Sequence, residues 1–267
     1  MELRHHALQI LALCDPEEKA AATLALHDQA DRLEIAALAP TPQPDMPLPG
    51  HPARPELLAH TAVARRSPAT ALGRAVLVHA IAHIEFNAIN LALDAVWRFN
   101  GMPRQYYLDW LRVASEEAQH FRLLRDHLRS QGHDYGSFPA HQGLWTMCEK
   151  TAADIVARMA LVPRTLEARG LDATPQIQNK LRQVGTPDAL AAAHILDTIL
   201  RDEVGHVAIG NHWYQWLCHQ QGLDAYSYYA TLTERYEAPR LKPPFNHAAR
   251  RAAGFSEAEL NWLETTQ

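Results

Sequence analysis

"LRDEVGHVAIGNHW", residues 200–213, sets Glu203 and His206 three apart in a run that otherwise reads as an apolar helix. Alone the pair means little. With 16 Glu and 16 His in 267 residues, roughly one Glu-x-x-His is expected by chance. The chain has three: Glu2 with His5, Glu117 with His120, and Glu203 with His206. The last two fall on long helical patterns. Residues i and i+3 share a helix face, roughly 60° apart, so each pair offers an oxygen and a nitrogen to one ion. Glu2 with His5 has no such setting and reads as the chance match.

Two further acids lie in apolar runs, Glu85 in "AIAHIEFNAINLAL" and Glu167 in "MALVPRTLEARG". In an antiparallel hairpin, residues equidistant from the turn lie level. The midpoint of Glu85 and Glu117 is Gly101 of "NGMP", and that of Glu167 and Glu203 is Gly185 of "VGTP". Four carboxylates and two imidazoles at one level of a bundle are untenable as bare charges. Two divalent cations would neutralise them, and the mixed oxygen and nitrogen donors suit iron, with manganese as the alternative.

The surrounding chain predicts an all-α protein. Hydrophobic content of 47%, charged content of 21% and only 12 Gly fit a globular chain of helices. Residues 1–38 read as one or two amphipathic helices, with a start at Asp15-Pro16, and 40–55, "PTPQPDMPLPGHPARP", as a strap that cannot be helical. Core helix one runs from an N-cap at Ser67-Pro68 to Phe99. Helix two spans Arg104 to Gly132. Helix three covers about 145–169, kinked at Pro163 and broken at Gly170, followed by a short piece to Val184. Helix four reaches about Gln220. Two shorter helices then flank the strap "APRLKPPF", 238–245. The expected divisions are an N-terminal helical extension and strap (1–66), a bundle (67–221) and a C-terminal helical extension (222–267).

A net charge of −5 and the lack of a dense basic run speak against a nucleic-acid or anionic-membrane binder. Cys14, Cys148 and Cys218 are odd in number and scattered, which fits buried thiols in a reducing compartment. No signal peptide or membrane span is read, so the expected location is cytoplasmic. His79, His83, His194 and His212 read as packing or surface groups, and Glu116 as a solvated acid beside Glu117. Asp197 and Asp202 read equally as solvated acids or as groups orienting a ligating imidazole. Trp97, Trp110, Trp145, Trp213 and Trp216 read as core aromatics.

The order Glu, Glu-x-x-His, Glu, Glu-x-x-His resembles the ferritin-like carboxylate-bridged di-metal bundle over roughly residues 68–220. More narrowly, "HIEFNAINLALDAVWRF", "EEAQHFRLL", "GHDYG", "RMALVPRTLEARGLDATP" and "RDEVGHVAIGN" resemble the uncharacterised bacterial ferritin-like group labelled domain of unknown function 455. The resemblance implies a four-helix bundle whose helix-two to helix-three connection crosses it. It also implies a two-metal site of Glu85, Glu117, His120, Glu167, Glu203 and His206, with Glu117 and Glu167 or Glu203 as bridges. The tyrosine that bears the radical in ribonucleotide reductase small subunits has no counterpart here, where Phe121 and Leu124 stand.

The leading expectation is a di-iron, di-manganese or mixed-metal oxidase or oxygenase. It would use O₂ as co-substrate, a small-molecule substrate and an electron donor. Competing expectations are a ferroxidase or iron store, a hydroxylase of a modified tRNA base, and a metal-stabilised binding protein. A homodimer is among the assemblies such a chain could form.

Overall fold

The computed structural model describes residues 2–59, 62, 66–141 and 143–265. They are predominantly helical and form two compact units. One comprises Met1–Gly143 with Thr186–Ile195, the other Leu144–Gly185 with Leu196–Gln267.

In the first unit, α1 (Leu3–Leu11) is capped by Glu2, whose carboxylate accepts from the backbone N–H groups of Arg4 and His5. The third Glu-x-x-His pair is thus a capping device, which satisfies donors that a helix start leaves open. Asp15 caps α2 (Pro16–His27) in the same way, with Pro16 in the first turn. The strap that follows is tied down by Trp97, whose indole N–H donates to the Pro42 carbonyl at 2.9 Å. Lys19, fully buried, also holds it. Its ammonium donates to the carbonyls of Leu11 and Gly50 and to Asn90 Oδ1 at 3.1, 3.0 and 2.6 Å.

The central helices of this unit are α3 (Ala71–Arg98) and α4 (Arg104–Ser130), which pack along one another, with α1 on α3 and α2 on α4. The α3 cap is Thr70, whose Oγ1 accepts from Gly73 N–H at 3.0 Å, and not Ser67. Ser67 instead accepts from Ala69 N–H at 3.3 Å in the preceding turn. By length and composition α3 could cross a membrane, yet 72% of its most apolar window is buried inside the protein. Between α3 and α4 the chain reverses at Gly101, whose φ of +76° costs least without a Cβ. After α4 the chain forms β2 (Ala140–His141), paired in parallel with β1 (Leu57–Leu58).

In the second unit, α5 (Gly143–Lys150) is separate from α6 (Ile155–Leu161), so the expected third helix starts later than 145. Asp154 caps α6 by accepting from Ala157 N–H at 2.9 Å. The kink expected at Pro163 takes the form of a π-helical turn, Val162–Glu167. Proline cannot donate to the carbonyl four residues back, and widening to i→i+5 bonding accommodates that loss. Thr165 Oγ1 donates to the Ala160 carbonyl at 2.7 Å.

The break expected at Gly170 is absent. Helix α7 (Ala168–Val184) runs through Gly170 and Pro175, because packing of Ala168 and Leu171 into the core outweighs the roughly 1 kcal/mol propensity cost of glycine. Helix α8 (Pro187–Gln220) follows, then three helices where two were expected: α9 (Ala225–Arg235), α10 (His247–Ala252) and α11 (Glu257–Thr265). Cys148 and Cys218 are buried thiols, whereas Cys14 is exposed.

Candidate metal centre

In the first unit the turn at Gly101 brings Glu85 of α3 level with Glu117 and His120 of α4. His120 Nδ1 lies 3.3 Å from Glu85 Oε2 and 3.5 Å from Glu117 Oε2. One donor atom from each of the three lies within 4.8 Å of the others. All are buried, at 4%, 0% and 1% exposure. Burial alone would lower the His120 pKa. Hydrogen bonds to the Glu117 and Glu85 carboxylates outweigh it and push the imidazolium up to about 11. The proton thus stands where a cation would neutralise two buried acids.

Ligands about 2.1 Å from a common ion are at most about 4.2 Å apart, and the 3.3 and 3.5 Å separations of His120 from the two carboxylates lie within that limit. Two carboxylates and one imidazole suit Fe, Mn or Zn.

Aromatic groups follow two of these residues in the chain. Phe86 and Phe121 lie with ring centroids 5.4 Å apart, and Tyr135 closes the group at 5.4 and 5.1 Å from them. Tyr135 is held by its hydroxyl, 2.8 Å from His83 Nδ1, while His83 Nε2 meets the His141 carbonyl at 3.0 Å. His79 Nε2 accepts from Gly136 N–H at 2.9 Å. His79 and His83 are therefore buried packing groups, each lowered to about 4 chiefly by burial. The role of Tyr135 is not legible in the sequence, although "GHDYG" carries it. Glu116 pairs with Arg112 at 3.1 Å, as a solvated acid would.

In the second unit His206 Nδ1 lies 3.7 Å from Glu203 Oε1 on α8. His206 is fully buried and Glu203 is 8% exposed. Glu167, half-buried, is the last residue of the π turn. That turn meets α8 at Gly210, where an added Cβ would lie 2.5 Å from Pro163 Cβ. The glycine of "AIGN" thus seats the proline of "LVPR" on its neighbouring helix. Asp197 accepts from Gln178 at 2.8 Å and Arg182 at 2.5 Å, and Asp202 pairs with Arg201 at 2.9 Å. The sequence reading missed the buried arginines of this unit, although Arg158 and Arg164 stand out in an apolar run.

Residues 12–261 match the family described as "Protein of unknown function (DUF455)". A protein of Haemophilus influenzae strain Rd, described as "Uncharacterized protein", is 47% identical over 263 residues, covering 95% of this chain and 90% of the relative. No solved structure matches the chain. By the extent of both matches, the chain belongs to the DUF455 family.

Proposed function

We propose that this protein is a ferritin-like four-helix bundle enzyme in which two divalent metal ions, iron or manganese, support an O₂-dependent oxidation of a small molecule. The supporting observation is the buried convergence of Glu85 and Glu117 on His120. Two burials this complete leave acids with a strong demand for positive charge, and the donor set fits an ion better than a lone proton. The reading assigns Glu167, Glu203 and His206 to the second half of the ligand set, on the strength of the repeated Glu, Glu-x-x-His order.

Bound iron or manganese would supply the one-electron chemistry with O₂ that carboxylates and imidazoles lack. The chain's own contributions are distinct from this. Glu85 and Glu117 hold the charge, and His120 must release its proton before it can ligate, so metal uptake is coupled to proton release. The protein interior around Glu85, Glu117 and His120 keeps water from the acids, and a dry site strengthens every electrostatic interaction inside it.

The test is reconstitution. Protein loaded anaerobically with ferrous iron and then given O₂ should consume O₂ in proportion to bound iron, with a change in visible absorption. Iron bound at two per chain with no O₂ consumption and no spectral change would refute the oxidase reading.

A further inference from the structure

A pocket in the second unit is lined by none of the candidate metal ligands. It lies among α9, α10 and α11, with Arg164 of the π turn in its wall, and has a volume of about 50 Å³. One water's share of the liquid is roughly 30 Å³, so the space admits a molecule of a few atoms and is too small for a ring.

The walls decide which small molecule fits. Tyr229, Leu241, Phe255, Trp262 and Leu263 present rings and aliphatic carbon. Two cations also stand in the wall, but neither is open to a guest. Arg164 and Arg250 are 2% and 0% exposed. Both stack on Phe255, with guanidinium carbons 4.7 and 5.1 Å from its ring centroid, and they donate to Glu259 and Asp172 respectively. The other polar groups are engaged as well. Glu259 Oε2 accepts from Ser256 N–H and Oγ at 2.7 and 2.8 Å. Ser227 Oγ donates to Asp224 Oδ1 at 2.7 Å, and the Tyr229 hydroxyl meets Thr165 Oγ1 at 2.7 Å.

Water holds a cavity only where it finds several polar partners, and apolar cavities take up apolar guests such as xenon instead. A guest of this pocket is therefore small, uncharged and independent of hydrogen bonds. We infer that the pocket binds a small apolar gas molecule and that, in the enzyme proposed above, this guest is dioxygen. The assignment to dioxygen rests on that O₂ chemistry. Position supports it, since Arg164 and Glu167 belong to the same π turn, so the pocket wall is continuous with the backbone that carries a candidate ligand. The rim at Tyr226 and Ala230 is exposed, which gives a gas molecule entry from solvent.

Methyl NMR of the full-length protein, without added metal, tests this by comparing samples equilibrated with O₂ and with N₂. Dioxygen is paramagnetic and speeds the relaxation of methyl groups beside which it dwells. Leu263, in the pocket wall and 7% exposed, is read against two controls. Leu171 is fully buried in the same core but outside the pocket, and Leu38 is 87% exposed. The oxygen-dependent relaxation of Leu263 should exceed that of both by about threefold or more, because occupancy follows affinity. Ala230→Leu, at an exposed helix position that tolerates leucine, should fill the rim and bring Leu263 to the level of Leu171. Xenon at the same pressure should shift the Leu263 methyl resonances of the parent and not those of the variant. Relaxation at Leu263 no greater than at the controls, no xenon shift there, or effects that Ala230→Leu leaves unchanged would each overturn the proposal. None of these readings depends on O₂ consumption, so a failed gas site and a failed oxidase are told apart.

Discussion

The two candidate ligand groups differ in how their helices present them. Glu85, Glu117 and His120 stand on two uninterrupted α-helices, α3 and α4, joined by a tight turn at Gly101. Glu203 and His206 also stand on a regular helix, but Glu167 ends a π turn. A π turn inserts a residue relative to α-helical register. Counting residues from a turn therefore places the first group's acids directly, while the register of Glu167 depends on how Pro163 seats against Gly210. Regular helices make a site legible in advance. Irregular ones make it depend on packing.

The largest effect should separate the candidate metal ligands from their bland counterpart. Glu117→Ala in the first unit and Glu203→Ala in the second should each bring metal content below half of the parent's and abolish O₂ consumption. Glu2→Ala, which removes the α1 cap and a hydrogen bond from Ala36 N–H, should leave both intact. Elemental analysis of the three purified variants decides this, and equal metal content for Glu2 and Glu203 variants would break the comparison.

A second test addresses the π turn. Gly210→Ala should destabilise the protein by about 1–3 kcal/mol in denaturant unfolding, the range for an overpacked core contact, because its Cβ would lie 2.5 Å from Pro163 Cβ. An unchanged midpoint would show that the Pro163 seat is loose. Gly170→Ala should act in the opposite direction. Gly170 is helical, with open space where a Cβ would sit, so alanine should stabilise by about 0.5–1 kcal/mol. Destabilisation there would revive the helix break that the sequence suggests.

The smallest effect concerns pH. Burial, then repulsion from His83, lowers His79 from 6.5 to about 4 against the attraction of Asp134. Burial likewise lowers His83 to about 4. Below the ordinary histidine range the unfolded chain takes up protons that the folded chain refuses, so stability present at neutral pH is lost as pH falls from about 6.5 towards 4. His120, held at about 11 in the fold, and Lys19, lowered to about 7 by burial, act the other way between about pH 7 and 6, where the unfolded imidazole and the folded ammonium are still taking up protons, and contribute nothing below about pH 5.5. Thermal melts of metal-free protein from about pH 5.5 to 4.5 should therefore decline, and His79→Gln should decline less. Parallel slopes would remove His79 from the explanation.

Much of the fold was legible because its long helices are bounded by strong signals. The turns at Gly101 and Gly185, the Asp15-Pro16 start and the end of α8 all lie where proline, glycine and capping chemistry put them. The misreadings share one cause. Ser67 lost the α3 cap to Thr70, and Gly170 sits inside α7, because local propensity is worth about 1 kcal/mol and packing decides the outcome.

The convergence of Glu85, Glu117 and His120 was readable from spacing. Tyr135 was not, since it reaches Phe86 and Phe121 from a loop whose path no periodicity encodes. Arg250 pairs with Asp172 across 78 residues of sequence, a contact that only folding reveals.

The most direct test of the central claim is anomalous diffraction at the iron and manganese edges, from crystals of protein expressed without added metal. The account predicts two metal peaks roughly 3.5–4 Å apart, with Glu85, Glu117 and His120 among the ligands of one and Glu203 and His206 among the ligands of the other. Ordered Glu85, Glu117 and His120 side chains with no anomalous peak beside them would contradict it, as would metal bound only at surface residues.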